Sequence, residues 1–515
     1  MNQLVVAHYH LRPGGVRRVI ETALPPIAGA GRMARVVLAV GEPPDPVWLH
    51  RLRASLAGTP LEVSVHPEFL YWSEQHATGM ELLRSLEEIC GRLLEDCGGA
   101  EAILWAHNLG LGRNIPLSRA WAEAARRRGS ILVSHHHDFF FDNRWNRWPE
   151  MRNAGTASLA EAAETVFPTG GRFVHIVINR ADLHCLEAGF GNHAVWMPNA
   201  VTPARHSDAE GKSLPAWMAA RIGTEAPYWL LPCRLLRRKN IAESVLLARW
   251  LRPEARVVTT GAPTSREEQD YAERLRESAT RHGWNLDLSI LAGVSSHPPI
   301  SALIAKAEAV LLTSLQEGFG LPYLEAASGA RPLLARNLPN VLPDLVSIGL
   351  HAPLAYREVL VPPDAFDSKR EAIQQRRLWN NWVADLPAEA REFCEEPVFL
   401  QRPEDPVPFS RLSFAAQEEI LARPAADMDS ILSTLNPELA DLRKCAGEFP
   451  PSTLDASGSE TLSPARFAEN FRAAVQSASS SSPIPPEAPL RALRAFLQDR
   501  LASQNLYPLL FSTDL

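Results

Sequence analysis

The chain has 515 residues, too many for one ordinary hydrophobic core, so two or three domains are expected. Hydrophobic residues make up 46% and charged residues 22%, a balance that excludes disordered and fibrous classes and predicts a soluble globular protein. The formal charge of −7 provides no electrostatic attraction to nucleic acid, and no apolar run is long enough to predict a membrane-spanning helix.

The opening "MNQLVVAHYH" lacks the basic and long apolar regions of a signal peptide and reads as a first strand, so the cytoplasm is the expected location. Peripheral contact with a membrane has no support in the sequence. The six cysteines contain no CxxC pair and are expected to be free thiols. Of the 52 basic residues 47 are arginine, so an arginine by itself is a weak marker of an anion site.

In chain order, short apolar runs alternate with helical stretches: "LVVAHY" (4–9), "RVVLAV" (35–40), "AILWAH" (102–107), "SILVSH" (130–135), "HIVIN" (175–179) and "AVWMPN" (194–199). Runs of aliphatic and β-branched residues, apolar on both faces and separated by helices, predict a parallel sheet covered on both sides. Residues 202–226 are polar and read as a linker with a short helix. A second alternation follows in "YWLLPC" (228–233), "ARVVTT" (255–260), "LDLSILAG" (286–293), "AVLLTS" (309–314) and "RPLLAR" (331–336). Ligands are expected at the carboxyl ends of the strands and in the cleft between the two domains.

Beyond about residue 345 the alternation dissolves. Residues 346–460 read as a helical and irregular insertion, and 461–476 as an amphipathic helix opened by a Ser-Pro cap. Residues 477–515 read as a low-complexity linker, "SASSSSPIPPEAP", and a terminal helix.

Four constellations carry chemistry. "LTSLQEGFGLPYLEAASGA" (312–330) sets Glu317 after a strand, then Gly318 and Gly320 in a strand-to-helix turn, with Pro322 suited to a first helical turn. Its backbone N–H groups and helix terminus suit a diphosphate. Glu325, expected in the first turn of that helix, can accept hydrogen bonds from vicinal hydroxyls. Its plain alternative is an acid that favours the helix dipole. In "LPCRLLRRKN", Arg234 and Lys239 flank a strand-to-helix turn where two cations could hold a diphosphate leaving group. Arg237 and Arg238 lie between them without an evident role. Gly14 and Gly15 in "HYHLRPGGVRRVIE" permit close backbone approach. In "SHHHDFFFDNRW", His135, His136 and His137 cannot all chelate one ion from a strand end, because alternate side chains point oppositely. A neutral imidazole bonding a sugar hydroxyl, with Asp138 orienting it, fits better than zinc.

The order of these segments resembles the retaining GT-B glycosyltransferases of family four, glycosyl transferases group 1. "GGVRRVIE", "HHHD", "VWMPNAV", "RLLRRKN", "TTGAPTS" and "LAGVS" lead to "EGFGLPYLEAASG", similar to the group's E-x7-E motif. The likeness covers roughly residues 1–340 and the helix at 463–475. It implies an α/β GT-B fold: two Rossmann-like doubly wound domains facing an interdomain cleft, with a helical C-terminal extension. Residues 1–201 would form the acceptor-side domain and 227–345 the nucleotide-sugar side, with helix 461–476 returning to the first domain. It also implies that Arg234 and Lys239 neutralise the donor diphosphate and that Glu317 faces the transferred sugar. His137, or His136, beside Asp138, would contact that sugar. Donor-binding positions would be Gly14, Gly15, Gly261, Gly318, Phe319, Gly320, Leu321 and Glu325.

The implied reaction moves a sugar from a nucleotide diphosphate (UDP-, GDP- or ADP-linked) to a carbohydrate or other hydroxyl acceptor with retention. No tightly bound cofactor and no divalent metal are expected. The alternatives are a GT-B sugar phosphorylase or synthase acting on a disaccharide and a non-catalytic sugar-binding scaffold. Ala200, Glu308, and Asn337 with Leu338 depart from the group's usual residues, the last pair on the sugar side.

Overall fold

Residues 3–75, 79–202, 208–263, 266–294, 297–351, 354–480 and 484–511 are described by the computed structural model. Of the segments read from the sequence, Met1 and Asn2 of the opening, 203–207 of the linker, Thr264 and Ser265 of "TTGAPTS", Ser295 of "LAGVS", 352 and 353 of the insertion, 481–483 of the serine run and 512–515 lie outside them. The chain divides into two units, the first comprising Met1–Thr202, Asp385–Cys394 and Ser459–Leu501, the second Pro203–Ala384, Glu395–Gly458 and Ala502–Leu515.

The first unit is built on seven parallel strands: β1 (Gln3–Ala7), β2 (Arg35–Val40), β3 (Leu61–Val65), β4 (Ala102–His107), β5 (Ile131–His136), β6 (Arg172–Val177) and β7 (Ala194–Trp196). Their order is β3-β2-β1-β4-β5-β6-β7. Val6 pairs with Leu38 on one side and Trp105 on the other, and His107 pairs with His135. The central strands are buried on both faces, which is why they read as continuous apolar runs. Strand β3 is an edge: Glu62 is exposed and Ser64 partly so, and that polar alternation hid it in the sequence.

Two distant helices complete this unit. Helix Pro464–Ser480 packs on helix Gly15–Gly31 and buries Phe467, Phe471 and Ala474 in the core around Trp105, with the Phe471 ring 5.3 Å from that indole. Helix Ala488–Arg500 sets Phe496 against Phe139, Phe141 and Phe167. Its last residue, the partly buried Arg500, pairs with Asp142 at 2.9 Å and with Asp182.

The second unit has six parallel strands: β8 (Tyr228–Leu231), β9 (Arg256–Thr259), β10 (Leu286–Asp287), β11 (Ala309–Leu312), β12 (Leu333–Arg336) and, after the short β13 (Leu350–His351), β14 (Leu354–Tyr356). The order is β10-β9-β8-β11-β12-β14. Leu230 pairs with both Val258 and Val310, and Ala335 pairs with Ala355. Strand β10 is shorter than the run "LDLSILAG" suggests, because Ser289 turns to φ 56°. Strand β14 lies where the sequence carries no strand signal: three residues suffice because β12 supplies the ladder.

The segment after 354 is mostly helical, including Ser368–Asp385, Phe414–Ala422 and Ala425–Leu435. It supplies buried polar partners to the second sheet. Glu243, fully buried, is held by Arg336 and by Tyr356 Oη at 2.5 Å. Gln417 Nε2 donates to Asn240 Oδ1 at 3.2 Å. Such groups are tolerated inside only because each has partners.

Candidate active site

In the second unit the strand order reverses between β8 and β11, the place where open parallel sheets bind ligands at their carboxyl ends. Arg234 and Lys239 follow β8, and Glu317 follows β11, so hydrogen bonding between neighbouring strands brings together residues almost eighty positions apart.

Lys239 sits in the 3-10 turn Arg237–Lys239, with only 8% of its surface exposed. Its backbone carbonyl accepts from Thr313 Oγ1 at 2.9 Å, and Asn240 then takes a left-handed conformation, φ 48°, to enter helix Ile241–Leu251. Lys239 Nζ pairs with Glu317 Oε1, and Arg238 Nη1 reaches Glu317 Oε2 at 3.0 Å and Gln316 O at 2.7 Å. Asn340 Nδ2 donates to Glu317 O at 2.7 Å. Burial by itself would raise the Glu317 carboxyl, but Lys239 and then Arg238 outweigh it and bring the group down to about 2. A carboxyl so acidic cannot serve as the general acid of a glycosidase, which needs a raised value. Arg238 had no evident role in the sequence; its place beside Glu317 depends on the strand pairing.

Arg234 is more open, with 49% of its side chain exposed, and Glu268 lies 3.5 Å from its Nη1. Gly261 lies against it: a Cβ there would stand 2.9 Å from Arg234 Cγ and 3.3 Å from Cys233 O, so this glycine lets the two loops close. Gly320 has φ 82°, a region that favours glycine, and begins helix Leu321–Ser328. Gly318 and Leu321 are partly exposed and Phe319 is buried. Glu325 is the fifth residue of that helix and no acid occupies its first turn. The expected first-turn position is therefore corrected by one residue, because the helix starts at Leu321, ahead of Pro322.

In the first unit Gly15 opens helix Gly15–Gly31 with Gly14 as its cap, and a Cβ on Gly15 would meet nothing. The histidines alternate about β5 as their spacing demands. His136 is buried, with Nε2 3.2 Å from His175 Nδ1 and from Ser134 Oγ. His137 is half-buried, its Nε2 3.1 Å from His107 Nδ1. Its backbone N–H donates to Asn108 Oδ1 at 2.8 Å. Asp138 accepts from Arg144 at 3.0 Å. Burial holds all these imidazoles neutral, His137 down to about 4, with Asp138 partly opposing.

Among the described residues, His107, His135 and His137 are the one trio of metal-competent side chains whose ligand atoms lie within 4.8 Å of one another. Trp105 Nε1 donates to His135 Nδ1 at 3.3 Å, which keeps that ring's proton on Nε2. As arranged, His135 would have to give up that bond before the trio could hold a tetrahedral ion. His107 joins from the neighbouring strand through the pairing His107 to His135; the one sequence signal for it was a histidine ending "AILWAH". Asp429, in helix Ala425–Leu435, accepts from Arg443 and from Trp250 Nε1 at 3.1 Å.

Residues 219–370 match the family model described as Glycosyl transferases group 1. Mannosylglucosyl-3-phosphoglycerate synthase of Petrotoga mobilis is 25% identical over 364 residues, spanning 68% of this chain and 67% of that one. Among solved structures, a glycosyltransferase from Rickettsia africae superposes with a TM-score of 0.51 at 10% identity, over 93% of this chain and 99% of that one. The Anabaena protein Alr3699/HepE, solved with UDP and glucose, gives 0.50 at 14% identity, over 92% and 99%. At these identities the structural likeness speaks for the fold alone, which is GT-B.

Proposed function

We propose, from the premise that this chain is a glycosyltransferase carrying a glycosyl transferases group 1 domain over residues 219–370, that it transfers a sugar from a nucleotide diphosphate to an acceptor hydroxyl with retention and without a metal. The observation that carries this reading is the set Arg234, Arg238, Lys239 and Glu317 at the carboxyl ends of β8 and β11.

Breaking the bond to the anomeric carbon builds negative charge on the departing diphosphate. Cations already fixed in place lower that barrier more than mobile ones, because no reorganisation is needed during the reaction. Lys239 is fixed by Glu317 and by the turn. Arg234 is the exposed fork that can close on a phosphate, and the start of helix Leu321–Ser328, with the Gly318 and Gly320 turn, adds backbone dipoles. Glu317 then acts as an ionised anchor for Lys239 that faces the sugar, and Glu325 as the acceptor for ribose hydroxyls. Gly14, Gly15, Gly261, Phe319 and Leu321 shape the donor loops. His137, half-buried and neutral, is the better partner for a sugar hydroxyl than the buried His136, with Asp138 beside it. The relative's name, a mannosylglucosyl-3-phosphoglycerate synthase, makes mannosyl and glucosyl donors the first to try.

The test is turnover of a panel of UDP-, GDP- and ADP-sugars, with and without inorganic phosphate, by wild type and by Arg234→Gln and Lys239→Ala. Each variant should lose about a hundredfold or more in kcat. Lys239→Ala transferring as fast as wild type would refute its role, and phosphate-dependent cleavage of a disaccharide would favour a phosphorylase.

A further inference from the structure

Three arginines stand at the carboxyl ends of β4 and β5 in the first unit. Arg113 follows the 3-10 turn Leu109–Leu111, and Arg144 and Arg147 end the loop that begins at His137. Arg147 Nη1 donates to Leu111 O at 2.7 Å, which ties the two loops together. The Arg113 guanidinium lies over the Tyr71 ring at 5.1 Å. Arg144 gives Nη2 to Asp138 at 3.0 Å, while its Nη1 is buried with no partner.

Charge balance separates these three from the many other arginines. Arg12, nearby in the chain's first loop, is neutralised by Glu42 and Glu74, and Arg126 and Arg127 share Glu123. Among the described residues, Asp138 is the one carboxylate that pairs with any of Arg113, Arg144 and Arg147. Burial, then the charges of Arg144 and Arg113, pull Arg147 down to about 9. Like charges crowded at a half-buried site are costly unless an anion joins them. Arg113 follows β4, one of the two strands between which the first sheet reverses its order and where a ligand belongs, and the Arg147 bond to Leu111 joins the loop after β5 to it.

We propose that Arg113, Arg144 and Arg147 form an anion subsite that holds a phosphate ester or carboxylate on the acceptor. The acceptor is then an anionic sugar or hydroxy acid, and planar guanidiniums suit both groups through paired hydrogen bonds. This inference rests on the glycosyltransferase reading, in which the second unit supplies its own cations for the donor diphosphate.

Calorimetric titration of the full chain with glycerol 3-phosphate, glycerate and glycerol tests it. At least one anionic probe should bind and glycerol should not; the stronger of the two identifies phosphate or carboxylate. Arg113→Gln and Arg147→Gln should each weaken that binding about tenfold or more. Arg113→Gln, which removes only the stacked guanidinium over Tyr71, should keep the wild-type melting temperature and guards against misfolding at Arg147. Anion binding unchanged in both variants, or absent in wild type, overturns the proposal. Competition by UDP would assign the site to the donor and overturn it as well. If the probes bind as expected but no nucleotide sugar is consumed, the glycosyltransferase reading fails while the anion site stands.

Discussion

Glu317 shows how one side chain changes meaning with its neighbours. As an acid near a glycine turn it invites a catalytic reading; clamped by Lys239 and Arg238 it is a permanent anion. Its depression from 4.5 to about 2 corresponds to roughly 3 kcal/mol of stability. The folded value lies below the unfolded one, so this contribution is complete above about pH 4.5 and is lost as the pH falls through about 2. Denaturant unfolding of wild type between pH 5 and 2 should therefore slope downward more steeply than that of Glu317→Gln. Parallel slopes would mean the ion pair contributes nothing to folding.

At the scale of elements, the strand-turn-helix around Gly320 carries its own punctuation. An aliphatic run, a Gly-x-Gly and a proline specify strand, turn and helix start, and all three stand where those residues require. The one-residue error at Glu325 came from where the helix begins, at Leu321 directly after the left-handed Gly320. A Cβ there would stand 2.7 Å from Val341 Cγ1 and 2.8 Å from Tyr323 Cδ2. Gly320→Ala should cost about 2–4 kcal/mol in denaturant melts, from backbone strain and overpacking together. A loss under 0.5 kcal/mol would show that the turn can relax. Strands β3 and β14 were not legible, the one because a half-exposed edge alternates polar residues and the other because it is three residues long.

For the molecule as a whole, the first unit is closed by a helix from the far end of the chain. Phe471 packs against Trp105 within the core that β1, β2 and β4 form. Phe471→Ala should cost about 3–5 kcal/mol, the usual penalty for an emptied aromatic site, read as a lower denaturation midpoint. An unchanged midpoint would mean that the helix contributes little to the first unit.

Period and punctuation along the chain determined two parallel α/β sheets and the turns at their strand ends, because apolar runs, glycines and prolines act locally on the backbone. Local pattern also placed Arg234, Lys239 and Glu317 just after strands. Tertiary structure decided which strands are neighbours, and hence that Glu317 is answered by Arg238 as well as Lys239. It decided that His107 joins His135 and His137, and that Arg113 joins Arg144 and Arg147. Those groupings depend on strand order and on loops meeting in space, which residues tens of positions apart do not encode in any local pattern.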